Sequence, residues 1–159
     1  MFINLHIVQM KKYLIVAIIC LFSYGVKGQR SDTGTLRFAT SNFSNDQGKA
    51  VLFLFRKSDK IPDKPFMTVS CNIERKMASI LLPGIAFGNY AAILLHDENS
   101  NGRIDHSFGL PFEQLGYSNN WKLGFFTGMP TFSKLEFQFS PASQNKQIKI
   151  SYKTKKIKQ

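Results

Sequence analysis

Between His96 and Asn120 the chain reads HDENSNGRIDHSFGLPFEQLGYSNN, and here polar and acidic residues stand at spacings that suit coordination chemistry. Asp97, Asn99 and Asn101 occupy alternate positions, and Gly102, Ile104 and Asp105 follow. That order matches the first nine positions of an EF-hand-type calcium loop. Alternate oxygens of a tightly coiled loop can converge on one hard cation, and the glycine lets the backbone turn far enough to bring round the Arg103 carbonyl. Ile104 then points back into the core and anchors the loop. The match breaks at position twelve, Phe108, where a bidentate Glu is required, and Glu113 beyond the GLP turn is the acid placed to substitute. The expected ligand set is therefore Asp97, Asn99, Asn101, Arg103 through its carbonyl, Asp105 and Glu113, with calcium as the ion. Two Asp and two Asn beside Arg103 carry little negative charge, which sets affinity in the weak range of extracellular modules, ~10⁻⁴ to 10⁻³ M. The same residues also make Asx turns that satisfy backbone donors without an ion, and both readings stay open.

Two other chemistries draw on the same stretch. His96, Asp105 and Glu113 around a metal would make a hydrolase, although His96 at a strand end is first a structural hydrogen-bonding residue. Trp121 with Tyr117, Phe125 or Phe126 would make a stacking platform for carbohydrate. Ser107 and Ser118 lack the glycine elbow and matched base of a nucleophile. The chain has no glycine-rich phosphate loop, no CxxC and no HExxH. Ser118, Asn119 and Asn120 are expected to tie the return of the loop to its start.

These residues need a scaffold, and the flanking pattern has period two. In TLRFATSNF, Leu36, Phe38 and Thr40 face one side, and Thr35, Arg37 and Ala39 the other, as in a half-buried strand. AVLFLF, residues 50–55, is apolar on both faces and belongs centrally in a sheet. RKSDKIPDKP, with two prolines, is a surface loop. MTVSCNI and MASILL are short strands, the second stopped by Pro83 and Gly84. NYAAILL delivers its end into His96 and Asp97. KLEFQF alternates Leu135, Phe137 and Phe139 against polar residues, and QIKISY puts Ile148 and Ile150 inward. A short helix is expected within Pro111 to Leu115. Seven strands at intervals of about ten residues, with no helical period, predict an all-β fold, a seven-stranded antiparallel β-sandwich of immunoglobulin-like or transthyretin-like architecture. Fifteen phenylalanines at largely alternating positions serve as core filling.

The ends of the chain speak of destination. Residues 1–28 hold only Lys11, Lys12 and Lys27 as charges, around an apolar run from Tyr13 to Phe22. That run suits a signal-peptide core and is short of the ~20 residues of a membrane span. Val26 and Gly28 frame a cleavage site before Gln29, and either Met1 or Met10 can be the start. Residues 29–152 then form one domain, with no transmembrane span, and 153–159 a basic tail. With Cys20 removed, Cys71 is the sole thiol, so no internal disulfide forms, and Cys71 reads as a small buried hydrophobe. Loss of the three lysines lowers the net charge from +11 to +8. Without an Arg-rich helix or RNP-like motif this charge does not indicate nucleic acid; it suits a solvated, frayed tail or weak attraction to anionic envelope surfaces.

GNYAAILLHDENSNGRID followed by GLPFEQLGYSNN resembles the bacterial domain of unknown function family 2141, exported proteins with the pattern G-x-Y-A-x(4)-H-D-x-N-x-N-G-x-(L/I)-D, then G-x-P-x-E, then G-(F/Y)-S-N-N. Gly88, Tyr90, His96, Asp97, Asn99, Asn101, Gly102, Asp105, Gly109, Pro111, Glu113, Gly116, Ser118, Asn119 and Asn120 fit it, and the likeness runs from about Thr35 to Tyr152. Departures are the stretched turn PGIAFGNY and the Trp121 and Lys122 that follow Asn120. The resemblance implies a secreted or periplasmic β-sandwich and carries no established activity. The expectation is a non-enzymatic exported module, periplasmic or extracellular, that binds a protein or glycan through the loop at 96–120.

Overall fold

The computed structural model describes residues 32–107, 110–124 and 126–152, without the side chains of 107, 110 and 152. The expected export segment with Cys20, the basic tail, Phe108 and Phe125 lie outside the described residues. Among the described residues no helix is long and apolar enough to cross a membrane.

The elements are β1 (Thr33–Ser41), β2 (Lys49–Phe55), β3 (Met67–Asn72), β4 (Met77–Ala86), β5 (Gly88–Asp97), β6 (His106–Ser107), β7 (Leu110–Pro111), β8 (Gln114–Tyr117), β9 (Phe137–Phe139) and β10 (Asn145–Tyr152). Among the described residues, a 3-10 turn at Ser118–Asn120 and a one-turn helix at Phe132–Leu135 are the helical pieces. Seven strands form one hydrogen-bonded path, β3-β2-β5-β8-β10-β1-β4, with β9 paired to the start of β5 and β6 paired with β7 apart from it. The two ends of the path, β3 and β4, are chain neighbours joined at the Glu74–Met77 bridge, so the sheet curls round until it nearly closes on itself.

The all-β expectation holds, but the layout is one barrel-like sheet and not two clearly separate antiparallel layers. β1 and β10 run parallel, with Arg37 opposite Asn145 and Ser41 opposite Lys149. The two strands are over a hundred residues apart in sequence, and no local pattern announces their direction. Their inward residues Leu36, Phe38, Ile148 and Ile150 nevertheless meet in the same interior, packed with Leu52, Leu54 and Leu94. This is the period-two pattern at work: alternate side chains of every strand point into one enclosed volume.

β2 and β5 are apolar on both faces because a second core lies on their outer side. Val51, Phe53, Phe55, Ile93, Leu95, Leu115 and Tyr117 are buried there, covered by Ile61, Ile104, Trp121, Leu123 and Phe132 from the connecting segments. The loops after β2, β5 and β8 thus form a lid over the outer face. Ile104 comes from the acidic loop itself, so that loop is tied to the sheet by apolar burial as well as by its polar bonds.

Three local expectations change. Pro83 and Gly84 do not end β4: together they oppose Thr35 in a bulge between the Leu36–Leu82 and Gly34–Ile85 pairs. β4 is an edge strand, where a missing N–H is tolerated, and Gly84 takes the positive φ of 70° that the bulge requires. No helix forms within 111–115; Gln114 instead begins β8, because Leu115 and Tyr117 have the outer core to fill. KLEFQF is not one strand. Leu135 ends the one-turn helix and joins the outer core, while Phe137 and Phe139 in β9 serve the inner one.

Candidate functional site

Asp97 is the last residue of β5 and is only 1% exposed. The sheet carries the backbone to this point and Gly48 lets the neighbouring turn close on it: a Cβ at Gly48 would stand 2.0 Å from the Asp97 carbonyl oxygen. From there the chain coils. Asp97 Oδ1 accepts the N–H of Asn101 at 3.1 Å and Oδ2 that of Gly102 at 2.8 Å. Asn99 Oδ1 accepts the N–H of Asn101 at 3.1 Å, and Asn101 Oδ1 that of Arg103 at 2.8 Å. These successive Asx turns wind the loop, with Gly102 at φ 74° as its sharpest point.

The coil brings four of the expected ligands together. The amide groups of Asn99 and Asn101 both donate to Asp105 Oδ2, at 2.8 and 2.9 Å. Two partial positive charges are thereby drawn to one carboxylate oxygen. Each Asn Oδ1 that holds a backbone N–H retains a second lone pair.

Glu113 closes the loop from the far side. Its Oε2 accepts the N–H of Asp105 at 3.0 Å, and Phe112 N–H donates to the Asp105 carbonyl at 2.8 Å. The residue is 8% exposed, and Oε1 is enclosed with no hydrogen-bond partner. Burial pushes its carboxyl up to about 7, and the negative charges of Asp105, Asp97 and Glu98 push in the same direction, against the lowering by the Asp105 N–H. An acid held at that value is an acid short of positive charge. Among the described residues no three His, Cys, Asp or Glu side chains converge at metal-ligand spacing. A cation here must draw also on amide and backbone oxygens, as a hard ion does.

His96 stands apart from this group. It is fully buried on the inner side of β5, as the alternation along a strand dictates, with Nε2 at 2.9 Å from the Gln47 carbonyl and its ring edge-on to Phe43. Its Nδ1 is 3.9 Å from Glu98 Oε1, and that oxygen accepts a hydrogen bond from Asn45. His96, Asp105 and Glu113 thus do not make a joint acid-base set. His106 is exposed.

Trp121 is half-buried, edge-on to Tyr117 at 4.7 Å between centroids, with the Lys134 ammonium 5.7 Å over the ring. Ser118 and Asn119 do not reach the start of the loop. Ser118 Oγ, 3% exposed, accepts the Ala92 N–H and donates to the Leu135 carbonyl, and Asn119 donates to the Lys134 carbonyl. Ser118 braces the lid segment against the middle of β5, and Asn119 ties it to the one-turn helix. The segment 42–48, which roofs His96, carried no signal beyond its turn residues; Phe43 in it is 2% exposed and was readable only as another core aromatic.

A family model described as "Uncharacterized protein conserved in bacteria (DUF2141)" matches residues 38–149. No curated protein and no solved structure matches the chain.

Proposed function

The chain belongs to that family of uncharacterized bacterial proteins, and from this premise we propose that it is an exported, non-enzymatic binding module whose loop at 96–120 is ordered by one calcium ion. The ligands in this reading are Asp97, Asn99, Asn101, the Arg103 carbonyl, Asp105 and Glu113. The observation that carries it is the enclosed, unpartnered Oε1 of Glu113 beside a coil of side-chain oxygens that successive Asx turns draw together. Glu113 supplies from the sequel of the loop the acid that its twelfth position lacks. An arriving divalent cation replaces the amide hydrogens now facing Asp105 and supplies the positive charge that Glu113 is without. Export rests on the apolar run from Tyr13 to Phe22 and its cleavage site.

The test is thermal unfolding with millimolar calcium, with EDTA and with zinc, for the wild type and for Asp97→Ala. Calcium raises the midpoint of the wild type alone, as a ligand of the native state must. An unchanged wild-type midpoint in millimolar calcium rules the ion out.

A further inference from the structure

We propose that Asn101 is a site of spontaneous hydrolytic deamidation, that the closed coil holds the reaction in check, and that the carboxylate it yields opens the coil. No part of this depends on a bound cation.

Of the asparagines in the chain, Asn101 alone is followed by glycine. The reaction runs through that neighbour. The Gly102 nitrogen attacks Cγ of Asn101, the new C–N bond closes a five-membered imide, and Nδ2 leaves as ammonia, taking the proton of Gly102. Water then opens one of the two imide carbonyls. Opening at Cγ leaves aspartate in an ordinary chain, whereas opening at the backbone carbonyl leaves isoaspartate, with the chain running through Cβ and Cγ. One water is consumed, one ammonia is released, and no atom changes oxidation state. A side chain on the following residue crowds the attack. Gly102 has none, and the space around its Cβ position is open for 4 Å. Asn101 and Gly102 are both exposed, so water reaches them.

The coil itself restrains this chemistry. The Gly102 N–H donates to Asp97 Oδ2 at 2.8 Å, and losing its proton there sets a second negative charge against the carboxylate. The Asn101 amide is pinned at both ends: Nδ2 donates to Asp105 Oδ2 at 2.9 Å, and Oδ1 accepts the Arg103 N–H at 2.8 Å. Turning Cγ toward the Gly102 nitrogen breaks these bonds. Deamidation therefore proceeds from the opened loop, at a rate set by how often the loop opens. The product cannot close as before. An ionised aspartate at 101 has no hydrogen to give Asp105 and sets a like charge where the amide now donates.

The experiment is incubation of the protein in mildly alkaline buffer with EDTA, folded or unfolded in urea, followed by mass mapping of its asparagine-containing peptides. In urea Asn101 is expected to convert before any other asparagine, and in the folded wild type more slowly by at least ~tenfold. Asp105→Ala frees Nδ2 and is expected to restore most of the unfolded rate at Asn101, while Asn99, which loses the same bond but precedes Ser100, stays an amide. Asn101→Asp stands for the unrearranged product, and its Gly102 and Arg103 amides are expected to exchange ~tenfold faster than in the wild type. Another asparagine converting first in urea overturns the site, and equal rates in folded and unfolded wild type overturn the restraint. A folded Asp105→Ala protein as slow as the wild type also overturns it, and the wild-type comparison decides the matter if that variant does not fold. Unchanged exchange at Gly102 and Arg103 in Asn101→Asp overturns the opening.

Discussion

Glu113 and Asp105 are eight residues apart, and one hydrogen bond of 3.0 Å from the Asp105 N–H to Glu113 Oε2 joins the two halves of the polar stretch. Because the other oxygen of Glu113 is enclosed without a partner, the contact is a half-satisfied one, and its energy depends on whether the carboxyl carries a proton.

The sign of that dependence follows from the raised value. A carboxyl at about 7 in the fold, against an ordinary 4.5, binds its proton more tightly when folded. Its burial costs nothing below about pH 4.5, costs progressively more as pH rises toward 7, and costs a constant amount above. Glu113→Gln keeps the acceptor for Asp105 and removes the charge. In EDTA, the stability of Glu113→Gln relative to the wild type is expected to grow between pH 5 and pH 8, read from urea midpoints at constant slope. A difference independent of pH would mean that Glu113 is not short of positive charge. In calcium the order reverses, since the variant lacks a ligand.

Asp97 tests the start of the loop. Its two oxygens hold the N–H groups of Asn101 and Gly102 from a position sealed off from solvent. Asp97→Ala leaves both donors without their acceptor and is expected to cost about 3 kcal/mol, since hydrogen bonds to a charged group are worth about 1.5–3 kcal/mol each and relaxation recovers part. Asp97→Asn keeps one acceptor and is expected to cost about half as much. Equilibrium unfolding in EDTA measures both without the ion.

Two glycines with the same backbone sign separate strain from crowding. Gly102, at φ 74°, has open space for 4 Å around the point where a Cβ would stand, whereas Gly48, at φ 76°, would drive a Cβ into the Asp97 carbonyl. Gly102→Ala is expected to cost about 1 kcal/mol, the ordinary left-handed penalty. Gly48→Ala must displace backbone and is expected to cost over about 3 kcal/mol. Urea unfolding of the two variants side by side measures the difference, and comparable losses would show that the 42–48 turn gives way freely.

What the sequence disclosed and what it withheld divide along range. Leu36 and Phe38, Ile148 and Ile150 announce their faces because a strand alternates regardless of its neighbours, and the coil from Asp97 to Arg103 is legible because each Asx bond spans two to five residues. The parallel pairing of β1 with β10 depends on where a distant strand lands, which no local spacing encodes. The doubly apolar β2 implied a covered outer face but not the cover, which comes from Ile61, Ile104, the pair Trp121 and Leu123, and Phe132, in four places along the chain. KLEFQF misled because its apolar residues serve two cores on opposite sides of one sheet. Glu113 was reachable as the nearest acid beyond the loop; that one of its oxygens is buried unpaired was not.

Lys134 offers the last test, because its role was invisible in a charge at the end of a short helix. Its ammonium donates to the carbonyls of Thr127 at 2.7 Å and Met129 at 2.9 Å and lies over the face of Trp121. It thus clasps the 124–130 segment onto the outer core, where Thr127 also exchanges bonds with Gly124. Lys134→Met retains the apolar stem that packs on Trp121 and removes the donors. The global unfolding free energy is expected to fall by no more than about 1 kcal/mol, because the clasp is exposed. Local opening should respond more: amide exchange of Gly124 and Thr127 is expected to accelerate by about tenfold, while that of Ala92 in the middle of β5 stays as it was. Equal acceleration at all three would mean that the whole sheet had loosened, and no acceleration at Gly124 and Thr127 would remove Lys134 as the element that holds the lid in place.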